Sequence, residues 1–431
     1  MNLSSLFNIL NENCDYAVLR NYEELPQKSG RDIDLIIDRK DFFSIRERVV
    51  DFFIESGYCL VQYYKGSEMH SLVFGRVEQG EVDFVSFDFL FSIYVRNLIL
   101  FESKEILKNR RYVNGVYVVR EDDEFLSKYL YNRLLNENYP EKYLAIKNIA
   151  YEKYGNDISK KLKNIFGKET LDYGKQDIKD AGRFCWQKHF CIQIIALIRY
   201  LLSIISNVVS PIGISIAFTG PDGVGKTTVI DIIKEKFFKL FGDISLFHFR
   251  PLLFSNLGEV AYNVGLKKEV DRDYRRPHRG GKVGMVSSLL RLFYYAIDYI
   301  VGYYKLVEIK LFRRNIVIFD RYYTDVICDS RRSRIFLNYK FLYWFGRVLV
   351  PQLDYNVLLT ASAETILARK QELTREGIEW INEKIEYLAG KRGYVKFVND
   401  GAPEEVVTEI LEWVFEEQHA KNLKRLNIKR K

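Results

Sequence analysis

The sequence predicts a chain of two folded parts. A doubly wound α/β domain with a parallel sheet fills the C-terminal half, and an α+β domain with a helical extension precedes it. Three observations carry this reading. From Ile214 onward strands and helices alternate: "ISIAFTG", "NIVIFD", "YNVLLT" and "YVKFVND" are short continuous apolar runs, as buried parallel strands require. Between them lie the helical stretches "TTVIDIIKEKFFKLF", "SLLRLFYYAIDYIVGYYKLVEIK", "SAETILARKQEL" and "PEEVVTEILEWVFEEQ". From Asp15 to about Val119, by contrast, β-rich runs surround a single helix. Finally, 48% hydrophobic and 28% charged residues over 431 positions give an ordinary globular balance, which excludes a disordered or collagen-like chain.

In the N-terminal zone "DYAVLRN", "DIDLIID", "SLVFGRV", "EVDFVSFDF" and "GVYVVR" read as strands, expected in meander order. "KDFFSIRERVVDFFIESG" has helical spacing, with Phe42, Ile45, Val49, Phe52 and Phe53 on one face and Gly57 as its stop. The boundaries that follow are 1–120 for the α+β domain, 121–189 for the helical extension, 190–212 for an apolar connecting helix, 213–420 for the α/β domain and 421–431 for a basic tail. Residues 190–209 have the length of a membrane span. Gln193, Arg199, Ser203, Ser206 and Asn207 interrupt the run, and a charge at mid-span is expensive. The expectation is a helix that docks on the next domain, with a helix lying on a membrane surface as the alternative.

Lys and Arg exceed Asp and Glu by 8, which suits phosphate handling or an anionic surface but is too small to imply nucleic acid. Five scattered cysteines without CxxC spacing argue against a structural zinc site or a secreted disulfide framework. The first residues carry no basic region and no long apolar run, so a reducing cytoplasm is expected, with contact at the inner face of the membrane as an option.

"GPDGVGKTT" matches G-x-x-x-x-G-K-[ST], with Gly220, Gly225, Lys226 and Thr227 at the fixed positions. It follows an apolar strand and opens a helix, the context in which backbone N–H groups curl around a phosphate. Gly220, Asp222, Gly223, Val224, Gly225, Lys226, Thr227 and Thr228 are the candidate ATP-binding residues. Lys226 would reach the β- and γ-phosphates, and the Thr227 hydroxyl would ligate Mg²⁺. Asp320 ends the strand "NIVIFD", where its carboxylate can hold Mg²⁺ or its water, and Arg321 beside it can grip an anionic group.

From Ile214 to about Gln418 these features, in this order, resemble thymidylate kinase, a nucleoside monophosphate kinase. "FHFRP" is similar to the family's Arg-Glu-Pro, and "FDRYY" to its Asp-Arg-Tyr/His. "ARKQELTRE" stands at the place of the lid, and "FVNDGAPEEVVTEI" is like the last strand and helix. The resemblance implies ATP and Mg²⁺. It also implies Asp222, Arg250, Arg321 and Tyr322 as acceptor-binding residues, and Arg369 and Arg375 as candidate lid arginines that join Lys226, Asp320 and Arg321 in catalysis. The Glu of Arg-Glu-Pro is missing, and "YTDVICDSRRSR" departs from the pattern expected around thymine, so the donor is better determined than the acceptor. Such kinase-like domains behind such an N-terminal domain resemble proteins seen with bacterial surface-polysaccharide genes. A sugar or glycan hydroxyl is therefore a competing acceptor, and a nucleotide-gated assembly factor with slow ATP hydrolysis is a third reading. A homodimer is left open.

"GRDIDLIID" puts Asp32 and Asp34 on one side of a strand, and Asp83 follows on a later one. Adjacent carboxylates repel, so a shared divalent metal is one reason to keep them. The pattern resembles the nucleotidyltransferase fold, although Arg20-Asn21 stand where its Gly-Ser turn should be. An active transferase, a binding domain and a structural Asp pair all remain open. His70 is expected to be an ordinary strand residue. The tail "KNLKRLNIKRK" is expected to be solvated, with an anionic membrane as the alternative partner.

Overall fold

The computed structural model describes residues 2–428 apart from 29, 31, 136, 168, 170–174, 239, 242 and 255–282. The basic run "DRDYRRPHRGGK" at 271–282 and the last cations Lys429, Arg430 and Lys431 lie outside the described residues. The chain forms two compact units. Residues 1–76, 83–210 and 415–431 make the first, and residues 77–82 and 211–414 make the second.

The first unit is built on a seven-stranded sheet. Its strands are β1 (Tyr16–Val18), β2 (Asp32–Ile37), β3 (Cys59–Lys65), β4 (Met69–Glu78), β5 (Glu81–Leu90), β8 (Arg111–Val113) and β9 (Val116–Val118), and the hairpin β6 (Ser92–Val95) and β7 (Leu98–Glu102) stands apart. The order β3-β4-β5-β2-β1-β9-β8 is no meander: β5 returns to lie parallel to β2. A period-2 pattern fixes which face each side chain takes but not which strand is the neighbour. The helix Arg39–Glu55 buries Phe42, Ile45, Val49, Val50 and Phe53 against the sheet, Asp38 caps it by accepting from the Lys40 N–H at 2.9 Å, and Gly57 leaves it at φ +78. The helical extension runs as Glu121–Leu134, Leu144–Phe166 and Lys175–Lys188.

Two boundaries differ from expectation. The helix Phe190–Val209 packs on the first unit rather than on the next domain, because its polar residues find partners there: Gln193 brackets both backbone groups of Ile99, at 3.0 and 2.8 Å. It is the one helix among the described residues long and apolar enough to cross a membrane by length and composition. The tail, too, is not a loose solvated end. The last helix, Pro403–Arg425, begins in the second unit and ends in the first, where Leu423, Leu426 and Ile428 join the core around Phe42, Leu60 and Phe74. Helix residues also serve edge strand β3. His419 Nδ1 accepts from the Leu60 N–H at 2.8 Å, and Asn422 Nδ2 donates to the Leu60 carbonyl at 3.1 Å, so backbone groups at a bulged edge are satisfied.

The second unit is a five-stranded sheet of β10 (Ile214–Thr219), β11 (Ile244–His248), β12 (Ile316–Asp320), β13 (Tyr355–Thr360) and β14 (Tyr394–Val398), in the order β11-β12-β10-β13-β14. Every neighbouring pair is parallel, as expected from the continuous apolar runs. The chain moves outward past β12 to make β11 and later crosses to β13. The C-terminal end of β10 is thus a switch point, where α/β sheets open a crevice.

Candidate functional site

The glycine-rich loop from Gly220 to Gly225 occupies that crevice. It joins β10 to the helix Lys226–Phe238, with Gly223 at φ +86 and Gly225 at φ +94, conformations that side chains rarely adopt. At Gly225 a Cβ would lie 2.6 Å from Asn399 Nδ2, so glycine is needed for clearance as well. Asn399, just past β14, donates to the Val224 carbonyl at 2.8 Å and ties the loop to the far side of the sheet. Thr227 and Thr228 are exposed in the first turn of the helix.

Lys226 is buried, and its Nζ donates to the carbonyls of Gly220 and Pro221, each at 2.8 Å. Burial, and after it the charge of Arg321, pulls its pKa down to about 7. Asp320 is paired in register with Phe218 of β10 and His248 of β11. Its Oδ2 takes His248 Nδ1 at 3.1 Å, while its Oδ1 is buried with no hydrogen-bond partner. Burial works to raise the Asp320 pKa, but the His248 bond, Arg321 and Lys226 outweigh it and hold the group below the usual carboxylate range. An anionic, hard oxygen left without a donor, on the strand paired with the one that leads into the glycine loop, is of the kind that suits Mg²⁺.

Beside the loop lies a carboxylate–guanidinium network. Arg321, itself at φ +72, pairs with Asp222 and, at 2.8 Å, with Asp325. Arg332 also pairs with Asp222, and with Asp329 at 3.4 Å. Burial opposes charge on Arg321, yet Asp325, Asp222 and Asp320 together raise its pKa and keep it cationic. The structure therefore brings Asp222, Lys226, Asp320 and Arg321 together. Asp325, Arg332, His248 and Asn399 belong to the same cluster and were not picked out from the sequence. Asn399 and Arg332 sit inside the quoted runs "FVND" and "RRSR", but nothing in those runs shows what they reach.

Other expected residues stand elsewhere. Tyr322 is turned into the core: its hydroxyl donates to the Pro351 carbonyl at 2.9 Å and its ring packs on Tyr299. Arg250 is fully buried, 2.8 Å from the equally buried Asp298. Arg369 is occupied by backbone, donating to Asn399 O at 2.8 Å and Gly401 O at 3.2 Å, so it braces the loop. Arg375 lies on an exposed helix start, paired with Glu364 at 2.7 Å.

In the first unit the three expected metal ligands do not converge. Asp32 pairs with Ser86 and Asp34 with Asp88, so the carboxylate in register beside Asp34 is Asp88, whereas Asp83 stands further down β5 with Arg76 and Tyr58. Arg20 Nε sits 2.6 Å from Asp34 Oδ2 and supplies the positive charge that a metal was expected to bring. Among the described residues no group of three or more His, Cys, Asp or Glu could hold a metal ion. His70 is an ordinary core residue: buried, 3.0 Å from the Tyr63 hydroxyl and held at about 3 by burial, with Arg39 and Lys65 adding to the effect.

No protein-family model matches the chain, and no curated protein matches it. Among solved structures, a thymidylate kinase from Ehrlichia chaffeensis is similar over 47% of this chain and 98% of its own, with 16% identity and a TM-score of 0.32.

Proposed function

We propose that the second unit transfers the terminal phosphoryl group of ATP, with Mg²⁺, to a small acceptor. The observation that carries this reading is the convergence of three groups at the end of β10. They are the glycine loop, the buried Lys226 folded against that loop, and the partnerless Oδ1 of Asp320 on the adjacent strand. Thr227 and Asp320 would hold the metal. Lys226 would leave its loop carbonyls for the β- and γ-phosphates, and Arg321 would face the charge of the transferred group. Asp222, pinned between two arginines, is oriented to take an acceptor hydroxyl.

For the acceptor, the motif resemblance points to a nucleoside monophosphate, thymidylate in the first place. One observation favours a sugar or glycan hydroxyl instead. Arg250 is enclosed with Asp298 and Tyr322 is turned inward, so two side chains expected to bind a nucleotide acceptor are engaged elsewhere. The experiment is ADP release from Mg-ATP by the full chain with dTMP, other nucleoside monophosphates, sugars and a glycan extract. Turnover with a nucleoside monophosphate supports the first reading, and turnover only with sugar or glycan supports the second. Slow release that no acceptor accelerates overturns both and leaves a nucleotide-gated role.

A further inference from the structure

The helix Phe190–Val209 is amphipathic the wrong way round for a helix at home in water. Its buried face holds Gln193, Ala196 and Asn207. Gln193 is buried on Ile99, Asn207 donates to the Lys65 carbonyl at 3.3 Å, and Arg199 reaches the buried Glu68 at 3.4 Å. Its outward face is apolar: Ile195, Ile198, Leu202, Ile205 and Val209 are 48%, 52%, 60%, 58% and 80% exposed. With Phe190, Leu201 and Val208, also about half exposed, the apolar arc covers about 140° at roughly 100° per residue. A soluble helix turns such an arc toward the core. Here side-chain hydrogen bonds fix it facing out.

The surroundings favour one occupant. A coiled-coil seam with a second copy would need only a narrow a/d stripe, whereas this arc is broad. No acidic residue occurs between Asp180 and Asp222, while Arg183, Lys188 and Arg199 lie in that interval. Beside the helix, Ile192 and Ile195 border a cleft of about 450 Å³ whose wall carries Arg39, Lys40, Lys104 and Arg199. Its acids are Asp38, Glu102 and Glu68. Arg39 at 3.3 Å and Arg199 share Glu68, and Lys104 lies 3.9 Å from Asp38, so the four cations exceed the three carboxylates by one positive charge. Cations beside a broad apolar face match an anionic lipid bilayer.

We propose that this helix lies flat on an anionic membrane, its apolar arc in the headgroup–acyl boundary and the cationic cleft against lipid headgroups. The same contacts argue against spanning, since Gln193 and Asn207 are buried on the protein and Arg199 reaches Glu68. The test is flotation of the full chain with phosphatidylcholine vesicles, with and without 40% phosphatidylglycerol. Two variants accompany it, Ile198→Glu/Leu202→Glu and Lys40→Gln/Lys104→Gln. Both change exposed side chains, and thermal melting checks that each variant folds.

The expected result is binding to the anionic vesicles, reduced at least tenfold in the glutamate variant and severalfold in the glutamine variant and on pure phosphatidylcholine. A Leu202→Trp reporter should shift its emission to the blue on adding anionic vesicles. Failure of the wild-type chain to float with anionic vesicles overturns the proposal. So does undiminished binding by the glutamate variant. A wild-type dimer that the glutamate pair dissociates, with no vesicle binding, overturns it in favour of a second copy.

Discussion

The Lys226 ammonium donates to the Gly220 carbonyl at 2.8 Å, so the loop's cation is held by the loop itself. Burial there pulls its pKa down to about 7, so its charge is lost as pH rises through neutrality. A triphosphate would draw it out and restore its charge. Nucleotide binding should therefore take up a proton: almost none at pH 6, where Lys226 is already charged, rising toward one at pH 8.5. Calorimetry in buffers of different ionisation enthalpy measures this, and Lys226→Ala should remove the uptake, weaken ATP binding and abolish transfer. No uptake at high pH would separate Lys226 from the phosphates.

Asp320→Asn should keep the fold and lose activity at least 100-fold, because an amide keeps the shape but not the charge that holds the metal. The check is a Mg²⁺ titration of turnover, in which the variant should need far more Mg²⁺ or fail to saturate. An unchanged Mg²⁺ dependence would leave Asp320 a partner of His248 only.

Asp222 is held by both Arg321 and Arg332, which fixes its carboxylate beside the loop. Asp222→Asn should lower acceptor turnover at least tenfold with a smaller effect on ATP affinity. It should also cost about 1–3 kcal/mol of stability, since the carboxylate that both guanidinium groups share is lost and only Asp325 and Asp329 remain to offset them. Equal losses in ATP affinity and turnover would mean that Asp222 only shapes the loop. The kinetics and a melting curve are needed together.

Leu426→Ala should destabilise the first unit by about 3 kcal/mol, the usual scale for truncating a buried leucine. A chain cut after residue 414 should lose that unit's cooperative melting. An exposed, frayed tail would show neither effect, so denaturant unfolding of the two proteins decides the matter.

Arg20 Nε at 2.6 Å from Asp34 Oδ2 leaves little for a divalent ion to do. Mn²⁺ should leave the melting temperature of the first unit unchanged. Arg20→Gln should lower stability by about 1 kcal/mol, a modest figure because the pair is partly solvated. A rise in melting temperature with Mn²⁺ in the wild-type chain would restore the metal reading of the aspartates.

Local rules made much of this protein legible in its sequence. The loop from Gly220 to Thr227 is a contiguous motif whose glycines, lysine and following helix are all fixed by backbone geometry. The strands around it are short apolar runs whose burial on both faces leaves a recognisable pattern. The helix at Arg39–Glu55, with Asp38 before it and Gly57 after it, is likewise written in adjacent residues. The inward burial of Tyr322, the Arg250–Asp298 pair and the bracing role of Arg369 were decided by tertiary structure, because each depends on partners 29 to 48 positions away. The choice of Asp88 over Asp83 beside Asp34 came from the pairing of β5 with β2, since spacing along one strand says nothing about register with another. The tail shows the same limit most plainly. Its lysines and arginines read as solvated charge, while Leu423, Leu426 and Ile428 between them are buried, because only the folded chain brings the edge of β3 within reach of the last helix.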